Sequence, residues 1–161
     1  MKNVSRLLPL LSGIVTLSGC SHAPQKSNGQ NNQKPNIIYI FADDLGIGDL
    51  SCYGATKVST PNIDRLAGQG VQFTNAYATS ATSTPSRFGL LTGMYPWRQE
   101  NTGIAPGNSE LIIDTTCVTM ADMLKDAGYA TGAVGKWHLG LGPKGETDFN
   151  NRITPNAQSI G

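Results

Sequence analysis

The stretch PNIIYIFADD, from Pro35 to Asp44, is the part of the sequence that most directly predicts the fold. It is a short, nearly continuous apolar run that ends in two acidic residues. Such a run, without polar alternation, is typical of a strand buried on both faces in a parallel sheet. Open α/β sheets place their binding and catalytic groups at the carboxyl ends of such strands. The sequence therefore predicts a buried strand whose end carries Asp43 and Asp44.

Three segments downstream have the start and stop signals of helices. A first helix is predicted from Pro61 to about Ala67, because a proline suits the first helical position. A second helix is predicted to start at Thr84 and Pro85, for the same reason. The segment TCVTMADMLKDAGYA predicts the strongest helix of the chain, with Gly128 as its stop.

Two further segments have the patterns of strands. VQFTNAYA, residues 71–78, alternates between apolar and polar residues, and ATGAVGKWHLG, residues 130–140, resembles a strand that runs into a loop. Strands that alternate with helices favour an α/β fold with a mainly parallel sheet flanked by helices. After Gly142 the pattern becomes polar, so we expect the sheet to be incomplete in this chain.

The N-terminus has the organisation of an export signal. A positively charged start precedes a short apolar run, and LSGC ends at Cys20 like a bacterial lipobox. We expect a lipoprotein signal peptide at residues 1–19, a lipid on Cys20, and a flexible polar tether at residues 20–34. This organisation predicts an exported, lipid-anchored protein of the cell envelope, in the periplasm or at the cell surface. A plain secretory signal cleaved elsewhere is the alternative.

Length and composition limit the remaining possibilities. The chain has 161 residues and a formal net charge of +1, which fits one globular domain at residues 35–161. The balanced charge gives no reason to expect nucleic acid as a partner. In an exported protein Cys52 and Cys117 could pair, but the sequence leaves open whether they approach each other.

Adjacent carboxylates at Asp43 and Asp44 form the first candidate chemical site. Hard oxygen ligands of this kind suit Ca²⁺ or Mg²⁺. Neighbouring residues of an extended strand point to opposite faces, so both can reach one ion only if the strand breaks there. The glycines of DDLGIGD permit such a break, and Asp49 is a weaker third acid. A solvated acidic loop is the alternative interpretation.

Two further motifs offer nucleophilic and cationic side chains. TSTPSRFGLLTG, residues 82–93, places Ser83 two residues before Pro85 and four before Arg87. Propensity alone makes its serines loop or capping residues, and no G-x-S-x-G elbow is present. In GKWHLG, Lys136 and His138 are two apart, so on a strand they would share a face and suit an anionic substrate. A solvated pair at a strand end is equally compatible with this motif.

Taken together and in this order, the motifs resemble those of the sulfatase family. SxPSRxxLLTG, residues 83–93, matches the serine-type sulfatase signature at its fixed positions, and GKWHLG matches the second signature. NIIYIFADDLGIGDLSCYG, residues 36–54, is similar to the first strand and metal loop of the family. The resemblance implies an alkaline-phosphatase-like α/β fold and hydrolysis of sulfate esters.

The resemblance also implies how a serine without a neighbouring base becomes reactive. Family members oxidise the first residue of the signature, here Ser83, to a formylglycine whose hydrate supplies the nucleophilic hydroxyl. Pro85 and Arg87 belong to the motif that the maturation enzyme recognises. A serine at this position implies a radical SAM-type maturase as a partner, because the oxygen-dependent enzyme uses cysteine.

Roles for the other motif residues follow from the same resemblance. Asp43, Asp44 and the matured residue 83 would bind Ca²⁺, or alternatively Mg²⁺. Arg87 would anchor residue 83, Lys136 would bind it together with the sulfate, and His138 would contact its second hydroxyl. The family takes further metal ligands, histidine and lysine from a later segment that cannot be placed here. The resemblance therefore implies that this chain is the N-terminal part of a catalytic domain, inactive alone.

Two alternatives remain at this point. One is a phosphatase or phosphonate hydrolase of the same superfamily, which would share the fold and metal site. The other is a non-catalytic surface lipoprotein that binds anionic glycans through Arg87, Lys136 and His138. For the sulfatase interpretation, the expected substrate is a sulfated carbohydrate or an aryl sulfate.

Overall fold

The computed structural model describes residues 34–146 and 148–161 of the chain. The predicted signal peptide, Cys20 and nearly all of the tether lie outside the described residues. Clustering of contacts divides the chain at Ile40, and the second unit runs from Phe41 to Gly161. The fold and the candidate site described below belong to this second unit.

Three α-helices form where the sequence predicts them. Helix α1 spans Pro61–Gln69, helix α2 spans Ser83–Thr92 and helix α3 spans Met120–Asp126. Single turns of 3-10 helix complete the regular structure, at Ile47–Asp49, Ser51–Tyr53, Pro96–Arg98 and Ala157–Ile160. Among the described residues no helix is long and apolar enough to cross a membrane.

The helix boundaries follow from their caps. Helix α2 begins one residue earlier than the predicted start at Thr84, because Thr82 is its N-cap and Pro85 occupies the third position. Proline is tolerated there, since the first amide groups of a helix have no intrahelical acceptor. Helix α3 starts with a capping box, in which Thr119 accepts a hydrogen bond from the Asp122 amide and Asp122 accepts one from Thr119.

The predicted parallel sheet is absent from the described residues, none of which forms a regular strand. In the predicted first strand, Ile38 is 85% exposed and Ile40 is 82% exposed. A buried strand needs backbone partners alongside it, which local sequence cannot supply. Only the end of the predicted strand at residues 130–140 has ladder-like contacts. There the Ile112 amide donates to the Leu139 carbonyl at 2.9 Å, and the Leu141 amide donates to the Ser109 carbonyl at 3.0 Å.

A small hydrophobic core joins four separate parts of the sequence. Its buried members are Phe88 of α2, Ile113, Leu139 and Ile160. The sequence after Gly142 is polar and predicts no packed element, yet Ile160 is only 4% exposed. The hydroxyl of Thr119 donates to the Ile160 carbonyl at 2.6 Å, which fixes this segment against the start of α3.

The acidic loop after Asp44 is tied to helix α1 by a polar cluster. The Ser51 hydroxyl donates to Asp64 of α1 at 2.6 Å and lies 2.8 Å from the hydroxyl of Thr60. The hydrogen bonds from Ser51 and Thr60 hold the pKa of Asp64 below its usual value, although partial loss of solvent opposes them. These contacts anchor the loop that follows the predicted metal-binding residues.

Candidate active site

Helix α2 presents Ser83 and Arg87 on the same face. Residues four apart are neighbours on a helix, and here the Arg87 Nε donates to the Ser83 Oγ at 2.9 Å. The same guanidinium donates from Nη1 to the Lys136 carbonyl oxygen at 2.7 Å. Its side chain is only 12% exposed, and its central carbon lies 5.7 Å from the ring centroid of Phe41. Arg87 therefore joins the signature serine to the GKWHLG segment.

The carboxylate of Asp43 completes this cluster. Lys136 Nζ lies 2.6 Å from Asp43 Oδ2, and Arg87 Nη2 lies 3.5 Å from Asp43 Oδ1. The hydrogen bond from Lys136 is the largest influence and lowers the pKa of Asp43. The charges of Lys136 and Arg87 and a hydrogen bond from Ser83 lower it further, whereas desolvation opposes them. One carboxylate, two cations and the serine hydroxyl thus meet in one place.

The backbone turns sharply between the two predicted metal ligands and the following loop. Asp44 has a φ of 56°, in the left-handed region that aspartate tolerates better than most residues. The chain therefore bends at Asp43 and Asp44, as the glycine-rich sequence after them suggests. Asp49, the weaker third acid, accepts a hydrogen bond from the Gly46 amide at 2.7 Å and closes its own turn.

The donor types around Asp43 fit a hard divalent cation, but they form only part of a coordination sphere. Carboxylates and a hydroxyl oxygen are the ligands that such ions prefer, and Ca²⁺ takes about six to eight of them. No group of three acidic, histidine or cysteine side chains that could hold a metal is found among the described residues. The described residues thus supply some ligands of the expected kind and not a complete set.

The backbone around Lys136 and His138 is not that of a strand. Gly135 has a φ of 114° and His138 one of 53°, in the left-handed region. The predicted strand is therefore absent here, and strand alternation no longer determines which way the two side chains point. The His138 Nε2 lies 2.9 Å from the Ala105 carbonyl oxygen, while Nδ1 is buried and has no partner within the described residues.

Sequence reasoning missed the connection between His138 and helix α2. The Ala105 amide donates to the Thr84 hydroxyl at 3.1 Å, and Thr84 is completely buried. One peptide segment at Ala105 therefore contacts both Thr84 and His138. Thr84 could have been noticed as the neighbour of Ser83, but an alanine carbonyl has no sequence signal.

The remaining signature residues are packed into the structure. Pro85 and Ser86 are buried in the first turns of α2. The Ser86 hydroxyl donates to the Ser80 carbonyl at 2.6 Å, which secures the loop that leads into the helix. Cys52 and Cys117, whose pairing the sequence left open, are free thiols.

Comparison with known proteins identifies the family to which this arrangement of motifs belongs. The family model described as Sulfatase matches residues 35–157, so the chain belongs to the sulfatase family. The chain is 89% identical over 161 residues to N-acetylgalactosamine-6-O-sulfatase of Bacteroides thetaiotaomicron. It is 50% identical over 115 residues to human arylsulfatase A.

The similarity extends to structure and concerns part of each relative. One solved structure is described as belonging to the metabolism of multiple glycosaminoglycans by Bacteroides thetaiotaomicron, and it matches with a TM-score of 0.77 and 94% identity. That match covers 80% of this chain and 27% of the other. The chain covers 32% of the length of the N-acetylgalactosamine-6-O-sulfatase and 22% of arylsulfatase A. The sulfatase resemblance is confirmed, whereas the sheet expected for this fold is not present in the described residues.

Proposed function

We propose that the protein containing this chain is a sulfuric ester hydrolase. The observation that carries the proposal is the cluster in which Arg87 joins Ser83, Asp43 and Lys136. Two cationic side chains beside a hydroxyl suit an anionic ester, because they offset the charge of its sulfate oxygens. Membership of the sulfatase family supports the same reaction.

Each side chain has a distinct task in this proposal. Arg87 holds residue 83 by its hydrogen bond and is nearly buried, so it positions the reacting group. Lys136 is 50% exposed and can turn toward an incoming sulfate. His138 keeps a buried Nδ1 without a partner in the described part of the chain, and its proposed task is to contact the second hydroxyl of the matured residue 83 and assist its deprotonation.

Ser83 is proposed to act after its oxidation to formylglycine, which supplies the nucleophilic hydroxyl through its hydrate. The oxidation removes two hydrogens from the serine side chain, and a radical SAM-type maturase is the proposed catalyst. The radical formed from S-adenosylmethionine would take one hydrogen atom, and an electron acceptor of the maturase would take the second electron as the other proton leaves. Pro85 and Arg87 are the proposed recognition residues for that enzyme. Asp43, Asp44 and residue 83 would hold a divalent cation, proposed to be Ca²⁺ with Mg²⁺ as the alternative, which would polarise sulfate oxygens.

The proposed substrate is a sulfated glycan with a 6-O-sulfated N-acetylgalactosamine. The support is the 89% identity over the whole of this chain to a protein named for that activity. The structural relative connected with glycosaminoglycan metabolism points to the same substrate class.

The proposal includes a location in the cell envelope. Residues 1–19 would be removed as a lipoprotein signal peptide, and a lipid on Cys20 would hold the catalytic domain through residues 20–34. An export route fits a polymeric glycan substrate, which does not cross a membrane freely. Labelling of the protein by a fatty acid analogue, lost in a Cys20→Ala variant, would test this part.

The first experiment is the mass of the tryptic peptide from Leu66 to Arg87, isolated from protein made in its native host. A loss of two hydrogens localised to Ser83 supports the proposal. The same peptide contains Ser80 and Ser86, which serve as internal controls because fragmentation separates the three serines. Unmodified Ser83 in a host with an active maturase would contradict it.

The second experiment compares paired aryl sulfate and aryl phosphate substrates with the protein expressed from its native gene. A preference for sulfate, abolished by Ser83→Ala, is expected. A preference for phosphate would instead support a phosphatase of the same superfamily. Binding of sulfated glycans without turnover of either ester would indicate a binding protein.

A further inference from the structure

The backbone of Ala105 lies between two residues of the candidate active site. Its amide, in the peptide group shared with Ile104, donates to the Thr84 hydroxyl at 3.1 Å, and its carbonyl, in the peptide group shared with Pro106, lies 2.9 Å from the His138 Nε2. Ala105 is 7% exposed and Thr84 is fully buried, so water cannot readily replace either contact. Because Ala105 precedes a proline, its own φ and ψ are restricted, and its two peptide groups keep a limited range of relative orientations. Thr84 is the neighbour of Ser83 in helix α2, so the Ala105 backbone connects the signature helix with the histidine.

The contact with Ala105 sets the protonation pattern of the imidazole. A carbonyl oxygen only accepts hydrogen bonds, so the His138 Nε2 must carry a proton. In a neutral ring the other nitrogen, Nδ1, is then an acceptor. That Nδ1 is buried and without a partner in the described residues, so its lone pair is kept available. The direction of the Ala105 carbonyl therefore decides which nitrogen of His138 can accept a proton.

We propose that Thr84 is a positioning residue that anchors the backbone of Ala105, so that the Ala105 carbonyl is kept directed at Nε2 and holds His138 in the Nε2-protonated form. The inference rests on the proposed function, in which His138 acts beside residue 83. It adds a task to a residue that otherwise belongs only to the helix start. His138 adopts a φ of 53°, a left-handed conformation that a non-glycine residue keeps only where the surrounding structure holds it.

The test compares three forms of the protein expressed from its native gene together with a maturase: wild type, Thr84→Val and Thr84→Ser. Valine keeps the shape of threonine but removes the acceptor, whereas serine retains the hydroxyl. Formylglycine occupancy is measured for each form by mass spectrometry, and kcat is divided by that occupancy. We expect Thr84→Val to lower this corrected kcat by about tenfold to a hundredfold with KM little changed, and Thr84→Ser to restore most of it.

Two readouts distinguish a positioning role of Thr84 from a general loss of folded structure. The first is a double-mutant cycle, in which Thr84→Val should add little loss in a His138→Gln background if it acts through the histidine. The second readout does not require an active enzyme. ¹⁵N NMR spectra of the histidine ring nitrogens are recorded for the Ser83→Ala protein, which cannot be matured, and the signals of His138 are assigned by their loss in a His138→Gln variant. Thr84→Val should replace the single Nε2-protonated signal of His138 by a mixture of tautomers.

The outcomes distinguish this inference from the proposed function. An active wild type whose Thr84→Val form keeps the corrected kcat and the single tautomer would overturn the positioning role alone. Equal losses from Thr84→Val with and without His138 would also overturn it, because the effect would not pass through the histidine. A fully matured wild type that hydrolyses no sulfate ester would reject the proposed function, while the ¹⁵N spectra would still test the connection from Thr84 to His138.

Discussion

Replacing Gly140 by alanine should destabilise the protein more than the same change at any open left-handed glycine. Gly140 has a φ of 75°, and a Cβ built on it would overlap the Glu110 carbonyl and lie 2.8 Å from the Ser109 carbonyl oxygen. Those carbonyls belong to a backbone that cannot easily retreat, because the neighbouring Leu141 amide donates to Ser109 at 3.0 Å. The final glycine of GKWHLG is therefore required by close backbone approach.

The expected magnitude has two parts. An alanine in the left-handed region costs about 1–2 kcal/mol relative to glycine. Forcing a methyl group into an occupied space costs about 1–3 kcal/mol more. The free energy of unfolding should therefore fall by about 2–5 kcal/mol in Gly140→Ala. Gly93→Ala is the matched control, since Gly93 has a φ of 67° with no atom near its Cβ position, and only the first part applies.

The measurement is urea unfolding of the protein expressed from its native gene, with both variants compared to the wild type. The difference between the two losses isolates the contact with Glu110 from the backbone preference. Equal losses of stability in Gly140→Ala and Gly93→Ala would refute the reasoning, because they would show that the backbone at Glu110 moves away from residue 140 at no cost.

Three other changes test the core, the ion pair and a helix cap. Phe88→Ala should lower the free energy of unfolding by about 3–5 kcal/mol, because Phe88 is fully buried, while Phe73→Ala at a 66% exposed position should change it by less than about 0.5 kcal/mol. Lys136→Met should raise the pKa of Asp43 toward the ordinary aspartate value of about 3.9, as measured from the NMR shift of its carboxyl carbon. Because the pKa of Asp43 is lowered in the folded protein, its stabilisation is present above the ordinary value and is lost as the pH falls through the folded pKa. A pKa of Asp43 that the substitution leaves unchanged would contradict the assignment to Lys136. Thr119→Val should lower stability by about 0.5–2 kcal/mol by removing the cap of α3, and unfolding curves that superimpose on the wild type would show that the cap contributes nothing.

The helices could be predicted from sequence because their signals are local. A proline in the first turn fixes the start of α1 at Pro61, and the capping box of Thr119 and Asp122 fixes the start of α3. The strands could not be predicted from local sequence signals. The run around Ile38 has strand composition, but its state depends on backbone partners distant in sequence.

The core was harder to predict than the helices. Leu139 and Ile160 are isolated apolar residues among glycines and polar residues, so no periodicity marks them as buried. Their burial results from contacts between residues distant in sequence, in the cluster with Phe88 of α2 and, for Ile160, beside the N-cap residue Thr119. The candidate site was partly predictable, because the motifs named Asp43, Ser83, Arg87 and Lys136 together. The turn that sends His138 to Ala105 was not, since it depends on a positive φ at a non-glycine residue.

The two cations of the site differ in how firmly they are held, and this difference indicates their use. Arg87 is 12% exposed and contacts Ser83, Asp43 and the Lys136 carbonyl at once, so moving it would break all of these contacts. Lys136 is 50% exposed, and among the described residues its ammonium pairs with Asp43. Exposed ion pairs of flexible side chains contribute little to stability. Displacing Lys136 from Asp43 should therefore cost little, whereas displacing Arg87 breaks several contacts at once. This difference fits the proposed division of tasks, in which Lys136 binds the sulfate and Arg87 positions residue 83.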